Sequence, residues 1–305
     1  MSTSSPSPPR VVIQPRDRRI FASLYTHRYL TARHIQQLHF TGNATRTLYA
    51  RLRQLWQAGY LERTYTVRED WSSGRHAPPR QLLYALARKG AQVLAATSES
   101  DLTDIPHTPT QNAHGFATLQ HHLVVTDCLT ALEAALTDDE PDTSPTLAKV
   151  TREHVLREML GAYAVHTEVP RPWLIPDSAF SLMYPDLQAP VTFYIEVVRS
   201  LPARGRTAFF EKLTGYTNAL KAGTLTRAWE HTQVAAVLVL APSPEKAERL
   251  RSQAERLPAH QDRFWFASYL TENERGQTTT ALSPGSILTP LWRDGTGEKR
   301  TLIHP

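Results

Sequence analysis

The stretch "VTFYIEVVRS", residues 191–200, decides the fold of the second half of the chain. Its β-branched and aromatic residues form a nearly continuous apolar run, which is typical of a strand covered on both faces. Glu196 stands in the middle of that run. Because an unpaired ionised carboxylate is costly in such a place, we expect Glu196 to have a cationic partner, a metal ion or access to water.

The sequence around this strand predicts a mixed sheet with helices packed on it. Apolar runs alternate with amphipathic stretches in the order helix, strands, helix, strand, helix and strand. The predicted strands cover residues 163–169, 173–183, 191–199, 233–242 and 263–270. The predicted helices cover residues 119–136, 206–221 and 244–257.

Charge divides the chain into two unlike parts. Residues 1–96 hold 15 Lys and Arg against 4 Asp and Glu, a net charge of +11, whereas residues 97–305 hold 19 against 25, a net charge of −6. A strongly basic first part indicates a polyanionic partner, most often nucleic acid, because neutralised phosphates release counterions. The alternative is a basic surface that only faces water.

The basic part predicts three helices followed by a hairpin. Thr31 is placed to cap the second helix at its N-terminus. The third helix lies within "NATRTLYARLRQLWQAG" (43–59), where leucines recur at helical spacing and Gly59 marks the end of the helix. We expect Tyr49 and Trp56 to widen the buried stripe of this helix.

The opposite face of the third helix carries guanidinium and amide groups that suit the major groove of DNA. The hairpin tip, "WSSGRHAPPR" (71–80), is basic and suits contacts with the sugar-phosphate backbone. Residues 15–96 therefore resemble a winged helix-turn-helix domain, and their positive charge favours DNA binding over the alternative, a winged helix that binds protein. The predicted DNA-binding residues are Arg46, Thr47, Arg51, Arg53, Gln57, Arg75 and Arg80.

Composition predicts the limits of the domains and the compartment. The chain has one cysteine, no apolar run of the ~20 residues that cross a bilayer, and no apolar signal-peptide core at its start, so we expect a cytoplasmic protein. We expect a disordered tail, a winged helix domain, a polar linker, a sheet domain and a loosely packed C-terminal tail. These cover residues 1–14, 15–96, 97–115, 116–270 and 271–305 respectively.

A candidate site lies at one end of the predicted sheet. Asp177, in "IPD", and Glu196 fall on strands that we expect to be neighbours, and two carboxylates that converge can hold a hard cation such as Mg²⁺. Lys212 and Tyr216 share one face of the next helix. A lysine beside two metal-bound carboxylates can stabilise the charge that develops on a phosphate.

This set resembles the PD-(D/E)xK nuclease superfamily, in which a metal-binding Asp and Glu and a Lys lie on adjacent strands. A winged helix joined to "IPDSAF", "FYIEVVRS" and "FEKLTGY" is similar to the replication-relaxation family encoded on plasmids and integrative elements. The resemblance spans about residues 15–240. It implies an α+β fold with an N-terminal winged helix-turn-helix followed by a mixed sheet domain resembling the PD-(D/E)xK nuclease fold.

The same resemblance implies site roles. The catalytic residues would be Asp177, Glu196 and Lys212, and Mg²⁺ or Mn²⁺ would be held by Asp177, Glu196 and a third ligand, Glu168. This chain departs from the pattern at Val198, where the superfamily has its lysine two residues after the glutamate. Arg199 should point to the opposite face of the strand.

Two hypotheses follow from the sequence. In the first, the protein is a DNA-binding factor of a plasmid or integrative element, acting in replication, transfer or transcriptional control, with a degenerate nuclease-like domain and no cofactor. In the second, it is a metal-dependent endonuclease or nickase targeted by its winged helix. The missing strand lysine favours the first. Both imply double-stranded DNA as partner, a homodimer that binds two half-sites, further replication or transfer proteins, and no membrane.

Overall fold

The computed structural model divides into two units, residues 1–126 and 127–305, and the boundary falls inside a long helix, Phe116–Asp138. The structure describes residues 11–40, 42, 44–65, 81–97, 101–108, 110, 112, 116–138, 144–153, 155–159, 174–199, 205–228, 233–272 and 278–303. Over these ranges we find no helix with the length and apolarity that a bilayer crossing requires.

Helices and a small antiparallel sheet build the first unit. The sheet has the order β1-β3-β2. In chain order the elements are α1 (Pro15–His27), β1 (Leu30–Thr31), α2 (Ala32–His39), α3 (Thr45–Gln57), β2 (Leu61–Tyr65), β3 (Leu82–Leu86) and α4 (Arg88–Ala95). The Thr31 side chain accepts a hydrogen bond from the His34 backbone N–H at 3.2 Å and so caps α2, as the sequence predicts. Gly59 has φ +80°, the left-handed conformation expected after α3.

The core of the first unit is formed by apolar residues of all four helices and the sheet. Leu48, Leu52 and Leu55 of α3 are fully buried in it. The prediction that Tyr49 and Trp56 extend this buried stripe is wrong, because their side chains are 52% and 41% exposed. Both lie at the edge of the leucine stripe, and the neighbouring elements cover them only in part.

Part of the predicted linker packs on the first unit. Leu102–Asp104 form a short 3₁₀ turn, and Ile105 after it is fully buried. The Asn112 side chain donates hydrogen bonds to Glu62 Oε2 at 2.7 Å and to the Leu86 carbonyl at 3.1 Å. These contacts satisfy the amide nitrogen of a buried side chain and hold the segment against the small sheet.

A seven-stranded mixed sheet forms the second unit, in the order β12-β11-β8-β7-β6-β5-β4. After α5 (Phe116–Asp138) the elements are β4 (Thr146–Arg152), β5 (Ser178–Met183), β6 (Val191–Val197), α6 (Gly205–Lys221), α7 (Thr224–Ala228), β7 (Gln233–Ala241), α8 (Pro244–Ala254), β8 (Phe264–Ser268), β9 (Leu270–Glu272), β10 (Thr278–Thr280), α9 (Pro284–Ile287), β11 (Trp292–Asp294) and β12 (Lys299–Arg300). The strands β4, β5 and β6 are antiparallel, and β6, β7 and β8 are parallel. The α+β class with a mixed sheet is confirmed. The predicted strand 163–169 lies outside the described residues.

The C-terminal segment contributes β11 and β12 to this sheet, and its β10 pairs with β9 in a separate two-stranded sheet, in contrast to the loosely packed tail expected for residues 271–305. β11 pairs with β8, and β12 pairs with β11. Trp292 and Leu302 are fully buried, and the Tyr184 hydroxyl donates a hydrogen bond to the Leu302 carbonyl at 2.7 Å. The segment is rich in Thr, Gly and Pro because its strands are short and separated by turns, and a few large side chains anchor it.

The central strand β6 is buried along its whole length. Tyr194 contributes to a core cluster that includes Leu213 and Tyr216 of α6. Because alternate residues of a strand share a face, the Glu196 side chain leaves the sheet on the same side as that of Tyr194. The fold thus directs this buried carboxylate at α6.

Candidate functional site

Four side chains meet at one end of β6, and we call them the carboxylate cluster: Asp177, Glu196, Lys212 and Tyr216. Asp177 directly precedes β5, and its backbone N–H bonds to the Ile195 carbonyl at 3.0 Å, which fixes it beside β6. Lys212 and Tyr216 lie four residues apart on α6, hence on the same face of that helix. The structure therefore brings Asp177, Glu196 and Lys212 together.

Both oxygens of Glu196 accept a hydrogen bond. Lys212 Nζ lies 2.5 Å from Oε2, and the Tyr216 hydroxyl donates to Oε1. Asp177 Oδ2 accepts from the Val197 backbone N–H at 2.7 Å. The buried carboxylate of Glu196 is thereby satisfied by two donors from one helix.

The electrostatics of the cluster are set by burial. Burial raises the pKa of Glu196 to about 7, although the Lys212 ammonium opposes this and the Asp177 carboxylate adds to it. Burial alone would lower the pKa of Lys212, but the carboxylates of Glu196 and Asp177 outweigh it, so that pKa is raised. Burial, followed by the Glu196 carboxylate, raises the pKa of the Tyr216 hydroxyl well above its usual value. Lys212 and Tyr216 therefore remain protonated donors at neutral pH.

The two groups that donate hydrogen bonds to Glu196, Lys212 and Tyr216, do not suit a site for a divalent cation. Mg²⁺ binds one or two carboxylates and keeps several waters in a near-ideal octahedron, whereas the Lys212 ammonium, which repels a cation, lies beside Oε2 and the Tyr216 hydroxyl donates to Oε1. Within the described ranges, no group of three or more His, Cys, Asp and Glu side chains is arranged to hold a metal ion. The proposed third ligand, Glu168, lies outside the residues that the structure describes.

Sequence reasoning missed two members of this neighbourhood. Tyr216 was expected on the same helix face as Lys212 but was given no role, yet its hydroxyl donates a hydrogen bond to Glu196. The Glu153 carboxylate also acts on Lys212 and supports its raised pKa. The i, i+4 spacing in α6 carried the signal for Tyr216, whereas no local pattern connects Glu153 with a lysine 59 residues later.

A second candidate site is the solvent-facing side of α3, which we call the α3 face: Arg46, Thr47, Arg53 and Gln57. All four are exposed. The sequence of α3, TRTLYARLRQLWQ, contains no acidic residue. The α3 face therefore presents two guanidinium groups, an amide and a hydroxyl to solvent. These groups can donate hydrogen bonds to the acceptor atoms of DNA bases and phosphates.

Arg51, also predicted to bind DNA, is partly exposed, but its guanidinium is engaged by other groups of the protein. Its guanidinium forms an ion pair with Asp17, which is fully buried, and donates to the Val12 carbonyl at 2.7 Å. The Asp17 hydrogen bond raises the pKa of Arg51. We therefore assign Arg51 to the contact between α1 and α3. The two arginines of the hairpin tip, Arg75 and Arg80, lie outside the described residues.

A basic cleft of about 410 Å³ adjoins the α3 face. Arg16, which sequence reasoning did not select, lines it together with Arg46 and Thr47. The Arg16 guanidinium lies 4.5 Å from the centre of the Phe40 ring, a cation–π contact that orients it. The cleft extends the positive surface of α3 toward the start of α1.

Comparison with protein families identifies the chain. A family model described as replication-relaxation matches residues 21–234, more than two thirds of the chain. The chain belongs to the replication-relaxation family. The matched region contains the α3 face and the whole carboxylate cluster, so both candidate sites lie within the replication-relaxation segment.

The replication-relaxation match ends near the start of β7 and does not include β8 to β12. The search of curated proteins and the search of solved structures gave no match.

Proposed function

We propose that this replication-relaxation protein is a DNA-binding factor of a plasmid or integrative element that acts in the replication, transfer or transcriptional control of that element. Its first unit would bind duplex DNA as a winged helix, with α3 in the major groove. Its second unit would be a nuclease-like scaffold whose carboxylate cluster serves structure.

The α3 face is the observation that carries this proposal. Its two arginines project from a helix whose opposite side is anchored by three fully buried leucines, so the helix can enter a groove without losing its packing. The order β1-β3-β2, with α3 leading directly into β2, supports a wing that follows the helix. The net charge of +11 in residues 1–96 supports a polyanionic partner.

Occupation of the Glu196 oxygens supports a structural role for the second unit. A helix lysine and a tyrosine satisfy this carboxylate in place of the strand lysine expected at Val198. The order helix, three antiparallel strands, helix and parallel strand supports the resemblance to a nuclease fold. We therefore favour binding over hydrolysis.

The test of the first unit is a binding titration with the double variant Arg46→Ala/Arg53→Ala. At low salt we expect its affinity for a short mixed-sequence duplex to fall at least about tenfold, with a shallower dependence on salt concentration, because two phosphate or base contacts are lost. The matched control is Arg249→Ala/Arg256→Ala, which removes the same charge from exposed positions of the second unit. Equal affinity of the two double variants would remove α3 from the interface.

A second candidate function, metal-dependent nicking, is favoured by the meeting of Asp177, Glu196 and Lys212. It is tested by incubating supercoiled plasmid with Mg²⁺ or Mn²⁺ and comparing wild type with Glu196→Ala and Lys212→Ala. We expect no nicking above the level of the variants. Nicking by wild type that both variants lose would show an active enzyme with its lysine on a helix.

We also propose a homodimer, because winged helix regulators bind two half-sites with two copies of the domain. Sedimentation velocity of the full chain measures this directly. A monomer at the concentrations that bind DNA would contradict it.

A further inference from the structure

Exposed aromatic rings gather on one side of the first unit. We call this set the aromatic patch: Tyr49, Trp56, Arg63 and Tyr65. Its three rings are 52%, 41% and 46% exposed, and they account for three of the five large apolar side chains that stand out as exposed among the described residues. Such a concentration marks a binding surface, whereas single exposed apolar residues carry no such meaning.

Two elements hold the patch together. Tyr49 and Trp56 lie seven residues apart on α3, which is two helical turns along the same side. Arg63 and Tyr65 are alternate residues of β2 and share one face of that strand. The Arg63 guanidinium lies 4.1 Å from the centre of the Trp56 ring and joins the helix to the strand.

Tyr84 gives independent support for this arrangement. It pairs in register with Arg63 on the adjacent strand and is buried. Burial raises the pKa of Tyr84, Arg63 lowers it, and Tyr49 and Tyr65 each raise it further. Arg63, Tyr49 and Tyr65 therefore all lie near enough to Tyr84 to affect its hydroxyl.

The charge of the patch indicates its occupant. Arg63 lies within it, Arg53 of the α3 face lies on the same helix between Tyr49 and Trp56, and α3 has no acidic residue. The one acidic residue of β2, Glu62, alternates to the other face and binds Asn112. Aromatic rings interleaved with guanidinium groups match the bases and phosphates of an unpaired strand.

We infer that the aromatic patch binds single-stranded DNA, with its rings stacking on unpaired bases and its arginines contacting the phosphates. This inference rests on the proposed function and deepens it. Since the patch and the α3 face share one helix, a strand that leaves the duplex beside α3 meets the rings at once. The protein would then bind the junction between paired and unpaired DNA, which arises when a replication or transfer origin opens.

The test measures fluorescence anisotropy of labelled oligodeoxythymidylate, which forms no duplex with itself, and of a labelled mixed-sequence duplex at the same salt concentration. We expect Tyr49→Ala and Tyr65→Ala each to weaken single-strand binding at least about fivefold, because a stacked base loses its ring. Tyr49→Phe keeps the ring and is expected to bind within about twofold of wild type. Duplex binding reports that the variants are folded, and circular dichroism provides a second check.

The outcomes separate this inference from the proposed function. Wild type that binds the duplex and ignores oligodeoxythymidylate overturns the inference and leaves the proposed function standing. Wild type that binds only oligodeoxythymidylate, with loss in Tyr49→Ala, supports the patch and contradicts duplex binding by α3. Alanine variants that bind the single strand like wild type overturn the inference. A change in their sedimentation with unchanged single-strand binding would show instead an interface between copies of the protein.

Discussion

Replacing Glu196 with glutamine should flatten the pH dependence of the stability of the second unit. The folded protein holds the Glu196 proton up to a pKa of about 7, chiefly because the group is buried, whereas an unfolded chain releases it near 4.5. Between these pH values the folded state binds more protons than the unfolded state. The stabilisation is therefore fully present below about pH 4.5 and is lost as the pH rises through about 7. The difference between the two pKa values corresponds to about 3 kcal/mol.

The assay is urea unfolding of the full chain at several pH values from about 4.5 to about 8, a range that brackets the titration. Wild type should lose about 3 kcal/mol more than Glu196→Gln across this range in the transition that belongs to the second unit. The control is Glu211→Gln, which removes an exposed carboxylate from the residue next to Lys212. Its pH profile should run parallel to that of wild type.

Lys212 provides the complementary variant. Lys212→Met leaves Glu196 buried without its ammonium, which should cost about 3–5 kcal/mol at pH 8. Adding Glu196→Gln should recover much of that loss, because the second change removes the uncompensated charge. A pH profile of Glu196→Gln that coincides with that of wild type would refute the reasoning, since the carboxyl would then titrate alike in both states. If the loss of stability in the double variant equals the sum of the losses in the two single variants, Glu196 and Lys212 are not coupled.

Three further predictions concern packing. Arg51→Ala should destabilise the first unit by about 3–5 kcal/mol, because it leaves the carboxylate of Asp17 buried without a partner; thermal unfolding measures this, and an unchanged midpoint would contradict the internal role of Arg51. Gly90→Ala should cost about 1–3 kcal/mol in urea unfolding, since a Cβ there would lie 2.3 Å from the Tyr60 carbonyl oxygen; full tolerance would show that α4 can shift. Trp292→Ala should cost about 3–5 kcal/mol, whereas Trp292→Phe should cost clearly less because its ring fills part of the same space, and equal losses would contradict this packing argument.

The sequence predicted the central elements well because their patterns are local. β6 was expected at residues 191–199 and occupies Val191–Val197, and α6 was expected at residues 206–221 and occupies Gly205–Lys221. The strand β4 (Thr146–Arg152) was missed because it is the edge strand of the sheet. Its residues are mostly polar and partly exposed, so the apolar run that marks the central strands is absent.

The side of a helix that becomes buried was predicted less well. Arg51 and Arg53 are the same residue type, two positions apart on one helix. Only the fold places Asp17, 34 residues before Arg51, against Arg51. Tyr49 and Trp56 border the leucine stripe, and periodicity alone does not say how far the covering elements extend. These choices depend on contacts between residues that are distant in the sequence, which a pattern within one helix does not contain.

In the carboxylate cluster, too, contacts between residues that are distant in the sequence could not be predicted from local patterns. Spacing predicted that Asp177, Glu196 and Lys212 would converge, but it did not predict which donor would occupy each oxygen of Glu196. Since α6 supplies both the ammonium and the phenol, each of the two oxygens accepts a hydrogen bond from the same rigid element. A metal ion bound to Glu196 would lie close to the Lys212 ammonium at Oε2 or would compete with the Tyr216 hydroxyl at Oε1. Either arrangement would disturb a satisfied buried network, which is the physical basis for our proposal that this cluster serves structure.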